Sequence, residues 1–267
     1  MTEFTIAGRP VRALRHGMAG QPGFEMFGPW ADGEAVRSAL LEAGEEYGIL
    51  PAGSRAYSTA NLESAWVPSP PPAIFTGENM QEFREYRQAA RAGSLGGSFY
   101  SDDITDYYTT PYDLGYGGIV AFDHDFPGRA ALERIAENPP RQKVTLVWDA
   151  QDVSDAVGSQ LGQENSAKFM EWPKARYSLF QTDTVLSDGK QVGLSFDCGY
   201  IYNEKAFVSL ATIENEFAEP GTELSVLWGE DPNSAKPTVE PHVQVEIRAT
   251  VAPAPLVSFA RSAYRTA

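Results

Sequence analysis

The sequence of 267 residues contains a single cysteine, Cys198, so the chain cannot form an internal disulfide. It has no Asn-x-Ser/Thr acceptor, and its first residues lack the basic stretch and apolar run of a signal peptide. No run of residues approaches the roughly 18 to 20 apolar positions that a membrane span requires. These absences give no indication of secretion, and we expect a soluble protein in a reducing cytoplasm.

Positive charge is scarce, because 21 Lys and Arg residues stand against 36 Asp and Glu residues, for a net charge of −15. Such an excess repels phosphate backbones and anionic lipid on average, so we expect neither a nucleic-acid nor a membrane partner. A local basic pocket stays compatible with this balance. The apolar fraction of 42% and the aromatic fraction of 12% exclude disorder as the main state and are typical of a packed globular protein.

The first part of the chain mixes strands and a helix. Residues 3–15 alternate in short apolar steps around a Gly-Arg-Pro turn, which predicts a hairpin, and residues 24–27 predict a further short strand. Apolar residues between Val36 and Tyr47 recur with helical spacing. Asp32 is placed to cap this helix and Gly48 to end it.

Prolines divide the next segment. Residues 67–77 contain four of them, so this stretch is predicted to be a stiff connector rather than a helix or a central strand. Thr76 is placed to cap a helix that runs to about Arg91, and another short helix is expected from about Arg129 to Glu137. The double proline that follows, Pro139-Pro140, is the best domain boundary in the chain.

Beyond this boundary the pattern becomes one of short strands without long helices. Turns at Asp188-Gly189 and Pro220-Gly221 separate them. Regular strands of this kind indicate a small barrel or a sandwich. The predicted strands are 143–148, 189–195, 206–213, 223–228 and 243–251.

The glycine-rich segment 17–23 admits two readings that involve Glu25. The glycine spacing suggests a phosphate loop, but the Gly-Lys-Ser/Thr ending is missing and a strand follows, so nucleotide binding is disfavoured. Alternation places Glu25 on the face opposite Phe24 and Met26, which is compatible with a solvated side of a half-buried strand. A tight turn explains the glycines, and a functional carboxylate at Glu25 remains the alternative to a solvated one.

Three stretches of the sequence resemble one enzyme superfamily. Residues 17–26 resemble the Gly-Tyr-Thr-Gly-Glu-x-Gly-Phe-Glu-Ile signature of the folate-dependent aminomethyltransferases, the glycine-cleavage T-protein superfamily. Residues 116–132 resemble its Gly-x-x-Val-x-x-Asp-Lys-x-Asp-Phe-x-Gly-Arg-x-Ala-Leu segment. Residues 208–228, with Glu219-Pro-Gly-Thr-Glu223, resemble a strand pair of its C-terminal barrel.

A narrower branch resembles the chain more fully, namely the tetrahydrofolate-dependent O-demethylases of methoxylated aromatic acids such as vanillate and syringate. The likeness includes residues 11–20, 53–59, 62–70 and 199–205. It begins in the middle of the family's folate-binding domain, so the N-terminal portion that holds the aromatic acid has no counterpart here. The chain is therefore similar to the C-terminal part of such an enzyme, and a separate N-terminal partner chain is one expectation.

The resemblance gives Tyr57 a catalytic role. Moving a methyl group from an aryl ether to N5 of tetrahydrofolate expels a phenolate, which leaves well only if it is protonated or hydrogen-bonded. Tyr57 matches the catalytic tyrosine of the branch, and a phenol with a pKa of about 10 matches the acidity of the departing phenol. The alternative is a half-buried tyrosine with a purely structural role.

Two further residues gain cofactor roles from the resemblance. A pterin offers a parallel pair of N–H donors that a carboxylate can accept, so the resemblance implies that Glu25 anchors the ring. Trp66 matches a tryptophan that lines the folate site, and the alternative for it is an ordinary core residue. No metal is expected, because the residues of the Asp123-His124-Asp125 triplet match a structural turn in the family.

These observations together predict an α+β protein. Residues 1–138 would be a partial aminomethyltransferase folate-binding domain, residues 139–255 an all-β C-terminal barrel, and residues 256–267 a frayed tail. The expected activity is methyl transfer from a methoxylated aromatic acid to tetrahydrofolate. An aminomethyltransferase of the glycine-cleavage type and a non-catalytic folate-binding fragment or subunit are the alternatives.

Overall fold

The computed structural model describes residues 1–17, 20–87, 94–162, 165–231 and 239–262. Within these ranges the helices are α1 (Gly33–Gly44), α2 (Ser54–Ser58), α3 (Ala60–Ser64), α4 (Gln81–Tyr86), α5 (Arg129–Ala136), α6 (Ala150–Ser159) and α7 (Ser258–Ser262). The strands are β1 (Thr2–Ile6), β2 (Arg9–His16), β3 (Gly23–Phe27), β4 (Leu95–Gly96), β5 (Arg141–Trp148), β6 (Lys174–Ala175), β7 (Phe180–Ser187), β8 (Lys190–Ile201), β9 (Ala206–Glu214), β10 (Glu223–Trp228) and β11 (Val245–Ala252). None of these helices has the length and apolarity that crossing a bilayer demands.

The first three strands form an antiparallel sheet in the order β1-β2-β3. The predicted hairpin is confirmed, and its turn consists of Ala7 and Gly8, with φ angles of 48° and 74°. Two consecutive residues with positive φ match the right-handed twist of the paired strands, which explains the tight connection. The predicted strand at 24–27 is confirmed as β3, which pairs with β2.

Helix α1 is confirmed, but its start differs from the expectation. Asp32 occupies the N-cap position without a capping side-chain hydrogen bond. Its carboxylate instead lies 3.4 Å from Arg9 Nη1 on β2. At the other end a 3₁₀ turn, Glu45–Tyr47, extends the helix to Gly48, whose φ of 70° ends it as expected.

The helix expected from Thr76 is much shorter than predicted. A 3₁₀ turn at Glu78–Met80 leads into α4, so Thr76 does not cap it. The Thr76 hydroxyl lies 3.4 Å from the Tyr108 hydroxyl instead. The predicted end of this helix, near Arg91, lies outside the described residues.

A closed barrel of six strands follows the double proline, with the order β7-β10-β11-β5-β9-β8 and a final pairing of β8 with β7. The predicted turn at Asp188-Gly189 joins β7 to β8. Sequence reading missed β7 and also missed α6, which Asp149 caps by accepting hydrogen bonds from the backbone N–H groups of Gln151 and Asp152. The barrel part of the prediction is confirmed, but it carries a helix of ten residues.

Two apolar clusters hold the barrel and its surroundings together. The inner core contains alternate residues of the barrel strands, including Leu146, Val226 and Trp228. The outer cluster consists of α3 and the residues after it, packed against the other face of β8 and β9. Leu62 of α3 is fully buried in the outer cluster, so the segment before residue 138 is anchored on the barrel.

The expected frayed tail is partly ordered. Residues 258–262 form α7, where Ala260 is buried. A Cβ placed on Gly20 would lie 2.6 Å from the Ala260 Cβ, so the two segments touch and only glycine fits there. The residues after 262 lie outside the described part of the chain.

Candidate functional site

A cleft of about 520 Å³ opens where β2, the end of α3 and strand β5 meet. Its volume falls within the range of about 300 to 1,000 Å³ that is usual for small-molecule sites. We call it the Trp66 cleft. Its lining residues are Arg15, His16, Gly17, Gly20, Ser64, Ala65, Trp66, Gly115, Tyr116, Gly118, Ile119, Lys143, Pro255 and Ala260.

Trp66 reaches this cleft because α3 ends abruptly. Ala65 adopts a left-handed backbone with a φ of 54°, and Trp66 N donates to Asn61 O at 2.9 Å across the helix end. Lys143 Nζ donates to the Ala65 carbonyl at 2.6 Å. Trp66 remains 37% exposed, so part of the indole is available to a ligand.

Glu25 lies beside the cleft rather than among its lining residues. The register of β2 and β3 pairs Glu25 with Leu14 and Met26 with Ala13, which places Glu25 on the face opposite Met26. The Glu25 side chain is 45% exposed, and its Oε1 lies 3.6 Å from Nδ1 of His16. Because His16 lines the cleft, its proximity to Glu25 places the carboxylate at the cleft's edge.

Tyr57 lies on α2, one short helix before the cleft-lining residues. Its side chain is 56% exposed, and it is not one of the residues that line the Trp66 cleft. Arg55 on the same helix donates to the Trp172 carbonyl at 2.8 Å and lies 3.6 Å from Glu171. The structure therefore associates Trp66 and Glu25 with one cleft, whereas it places Tyr57 on the neighbouring exposed helix.

Tyr116 and Lys143 are among the lining residues that sequence reasoning did not single out as site residues. Burial raises the pKa of the Tyr116 hydroxyl, and Lys143 Nζ lies 5.3 Å from the centre of its ring. Tyr116 is the first residue of segment 116–132, which resembles a segment of the superfamily, and Lys143 is a charged residue at the start of a barrel strand. The sequence therefore contained a signal for each of them. Nothing local indicated that they would meet.

The basic lining residues of the Trp66 cleft in the described part of the chain are Arg15, His16 and Lys143. None of the described lining residues is acidic, although the whole chain carries a net charge of −15. A basic lining in an acidic protein favours a ligand that carries negative charge. The cleft is thus suited to a ring system with an anionic tail.

Comparison with known proteins identifies the class. Residues 1–68 match the family model described as the GCVT N-terminal domain. The glycine-cleavage aminomethyltransferase T of Bartonella henselae has a similar fold, with a TM-score of 0.52 and 16% identity over 93% of this chain and 49% of that one. Residues 1–68 thus match a domain of the T-protein-like superfamily, and the chain shares the fold of a T-protein over most of its length.

Within that superfamily, two curated relatives are similar over most of the chain. A syringate O-demethylase of Sphingobium sp. is 50% identical over 99% of this chain and 58% of its own length. A sesamin methylene transferase of Sinomonas sp. is 34% identical over 84% of this chain and 53% of its own. The chain spans about half the length of these relatives.

Proposed function

We propose that this chain takes part in the transfer of a methyl group from a methoxylated aromatic acid, such as vanillate or syringate, to tetrahydrofolate. The observation that carries the proposal is the Trp66 cleft, which is lined by a partly exposed indole and by His16, with Glu25 at its edge, at positions that resemble the O-demethylase pattern. The 50% identity to a syringate O-demethylase supports the same reaction class.

The residues of the cleft suit the chemical groups of tetrahydrofolate. Glu25 supplies a half-exposed carboxylate for the parallel N–H donors of a pterin, and the Trp66 indole offers an apolar face. Arg15 and Lys143 supply positive charge for the carboxylates of the glutamate tail. Tetrahydrofolate itself would supply the N5 atom that accepts the methyl group.

Tyr57 is the proposed general acid. Its phenol would donate a proton or a hydrogen bond to the phenolate oxygen as the bond between that oxygen and the methyl carbon breaks. The exposed position of Tyr57 on α2 leaves its side chain accessible to an aromatic acid.

A second candidate is a folate-binding subunit that needs another polypeptide for turnover. Helix α1 has no buried residue, and Trp30 beside it is 99% exposed. A groove of about 410 Å³ between α1 and β3 is lined by Met26, Val36 and Leu40 among others. The groove and the unburied helix beside it favour a contact with another polypeptide segment. We propose that residues 1–138 form a domain that a partner segment completes and that 139–255 form the barrel domain.

Isothermal titration calorimetry of the chain with tetrahydrofolate, followed by assays with vanillate and syringate, tests these proposals. Binding followed by formation of 5-methyltetrahydrofolate supports the O-demethylase function. Binding without turnover favours the subunit, and turnover should then appear on adding the part of the syringate O-demethylase that the alignment leaves uncovered. In a parallel assay with an aminomethyl-lipoyl donor, formation of methylenetetrahydrofolate with release of ammonia would favour the aminomethyltransferase reaction. Absence of binding would contradict every folate proposal.

A further inference from the structure

A buried hydrogen-bonded cluster, to which the proposed chemistry gives no role, joins α3 to the barrel. Lys174 Nζ lies 2.7 Å from Asp197 Oδ2 and donates to Asn61 Oδ1 at 2.9 Å. Asn61 Nδ2 donates to the same oxygen of Asp197. We call Asn61, Lys174 and Asp197 the Asn61 cluster.

Asp197 lies at a β-bulge of β8. The pairing of β8 with β9 skips Asp197, since Phe196 pairs with Leu210 and Cys198 pairs with Ser209. Phe196 consequently belongs to the outer cluster and Cys198 to the inner core. The φ of Asp197 is 47°, in the left-handed region that Asp and Asn tolerate better than most residues. The bulge interrupts the ladder at this residue and lets its carboxylate meet Asn61 of α3.

Asn61 is also the residue that holds Trp66. Its Nδ2 donates to the Trp66 carbonyl at 3.2 Å, and its own carbonyl accepts from Trp66 N at 2.9 Å. The amide oxygen of Asn61 faces the ammonium of Lys174. Its amide nitrogen faces the carboxylate of Asp197 and the carbonyl of Trp66. Because an amide nitrogen only donates, the Lys174–Asp197 pair fixes the one orientation of Asn61 that can bond Trp66.

Burying the Lys174–Asp197 ion pair costs desolvation free energy, so a gain in stability alone does not account for it. Both partners are removed from water, with side-chain exposures of 14% for Lys174 and 5% for Asp197. Asp197 Oδ1 is buried without a hydrogen-bond partner in the described part of the chain. Buried pairs of this kind seldom stabilise a fold more than apolar residues of similar size would. Their advantage lies in specifying one arrangement of the groups around them.

We infer that Lys174 and Asp197 are positioning residues for the folate site, because they fix Asn61 and Asn61 holds Trp66 at the cleft. The inference rests on the proposed function, which makes the cleft a folate site. The hydrogen bonds described above support the positioning of Trp66 by the Asn61 cluster. It makes the barrel a determinant of folate affinity, although none of the three residues of the cluster lines the cleft.

The variant Asp197→Asn tests this inference, since asparagine keeps the side-chain shape and tolerates a positive φ. Glu230→Gln is the matched control, because it alters a different buried ion pair, Lys168–Glu230 at 2.8 Å, which lies outside the Asn61 cluster. Hydrogen exchange of the 60–67 segment and calorimetry with tetrahydrofolate are measured on the full chain. Asp197→Asn should speed exchange and raise the Kd by about 10-fold, while Glu230→Gln should change neither more than about twofold.

Equal effects of the two variants, or no effect of Asp197→Asn, would overturn the positioning role. If Asp197→Asn does not fold, Lys174→Met/Asp197→Asn removes both charges and takes its place, with the same expected changes. If the unaltered chain does not bind tetrahydrofolate, the proposed function fails, and the exchange rates alone decide whether the cluster positions Trp66.

Discussion

Nδ1 of His16 lies 3.6 Å from Oε1 of Glu25, so a strand that lines the Trp66 cleft and the strand beside it also meet through their side chains. The contact follows from the antiparallel register, which pairs His16 with Gly23 and places Glu25 two residues further along the same face. Glu25 thereby has both a partner at the cleft and solvent exposure, which a carboxylate needs if it is to accept donors from a ligand.

Replacing Glu25 with alanine should weaken tetrahydrofolate binding by about 1.5 to 3 kcal/mol, the range for hydrogen bonds to a charged group. Calorimetry measures the change. Glu3→Ala on β1 is the control, since Glu3 is an exposed carboxylate of the same sheet and should leave the affinity unchanged. Equal affinities of Glu25→Ala and the unaltered chain would return Glu25 to the role of a solvated surface residue.

Tyr57→Phe should lower methyl-transfer turnover by roughly 10²- to 10⁴-fold while the affinity for tetrahydrofolate stays nearly the same. The reason is that the substitution removes only the Tyr57 hydroxyl, which would donate to the oxygen of the leaving phenolate. Single-turnover kinetics of the active assembly provide the measurement, with Tyr86→Phe as control because Tyr86 is 86% exposed at the end of α4. Unchanged turnover in Tyr57→Phe would remove Tyr57 from the mechanism.

Trp66→Ala should weaken tetrahydrofolate binding by about 0.5 to 1.5 kcal/mol through lost ring contact, and Trp66→Phe should recover part of that loss. Titration calorimetry of the three chains gives the comparison. Trp30→Ala serves as control, since Trp30 is 99% exposed and lines a different groove. A loss of the same size in Trp30→Ala would show that the assay does not report on the cleft.

Leu62→Ala should lower the free energy of unfolding by about 2 to 5 kcal/mol, because it opens a cavity in the outer cluster where Leu62 has no exposed surface. Urea denaturation measures this, with Leu161→Ala as an exposed control at 91% exposure. Gly199→Ala is a second test of the same contact, since a Cβ at position 199 would lie 3.1 Å from Leu62 Cδ1 and 2.5 Å from Pro173 O. A destabilisation below 1 kcal/mol in Leu62→Ala would contradict the packing of α3 on the barrel.

The ion pair between Asp152 and Arg248 should make the stability of the folded state depend on pH in the acid range. Hydrogen bonds from Arg248 lower the pKa of Asp152 from its ordinary value of 3.8, so the folded state binds fewer protons than the unfolded state near that pH. The contribution is present above about pH 4 and is lost as the pH falls through the lowered pKa. Asp152→Asn should therefore lower the Tm at pH 7, and its difference from the unaltered chain should shrink toward pH 2.

Circular dichroism melts across this range check the prediction. Asp155→Asn is the control and should show a smaller difference at pH 7. Asp155 lies on the same helix, and among the contacts described for its side chain the only hydrogen bond is with Gln151. A difference between Asp152→Asn and the unaltered chain that stayed constant from pH 7 to pH 2 would exclude the linkage.

Local patterns sufficed where neighbours in sequence decide the structure. The hairpin around Gly8, helix α1 and the turn at Asp188-Gly189 follow from positive-φ residues and apolar period alone. Strand β7 was missed because its sequence, Phe-Gln-Thr-Asp-Thr-Val-Leu-Ser, contains buried polar residues whose partners lie elsewhere in the chain. The helix from Thr76 was overextended because a periodic pattern does not reveal where the chain turns to meet Tyr108.

The sequence by itself was enough to predict the barrel and the resemblance to T-protein-like enzymes, because motif, alternation and turn chemistry depend on residues close together in the chain. Only the tertiary structure decided that His16 would meet Glu25, that Lys143 and Tyr116 would share a cleft with Trp66, and that Asp197 would reach Asn61. These contacts join residues up to 136 positions apart, and closing such distances depends on how the barrel and α3 pack together.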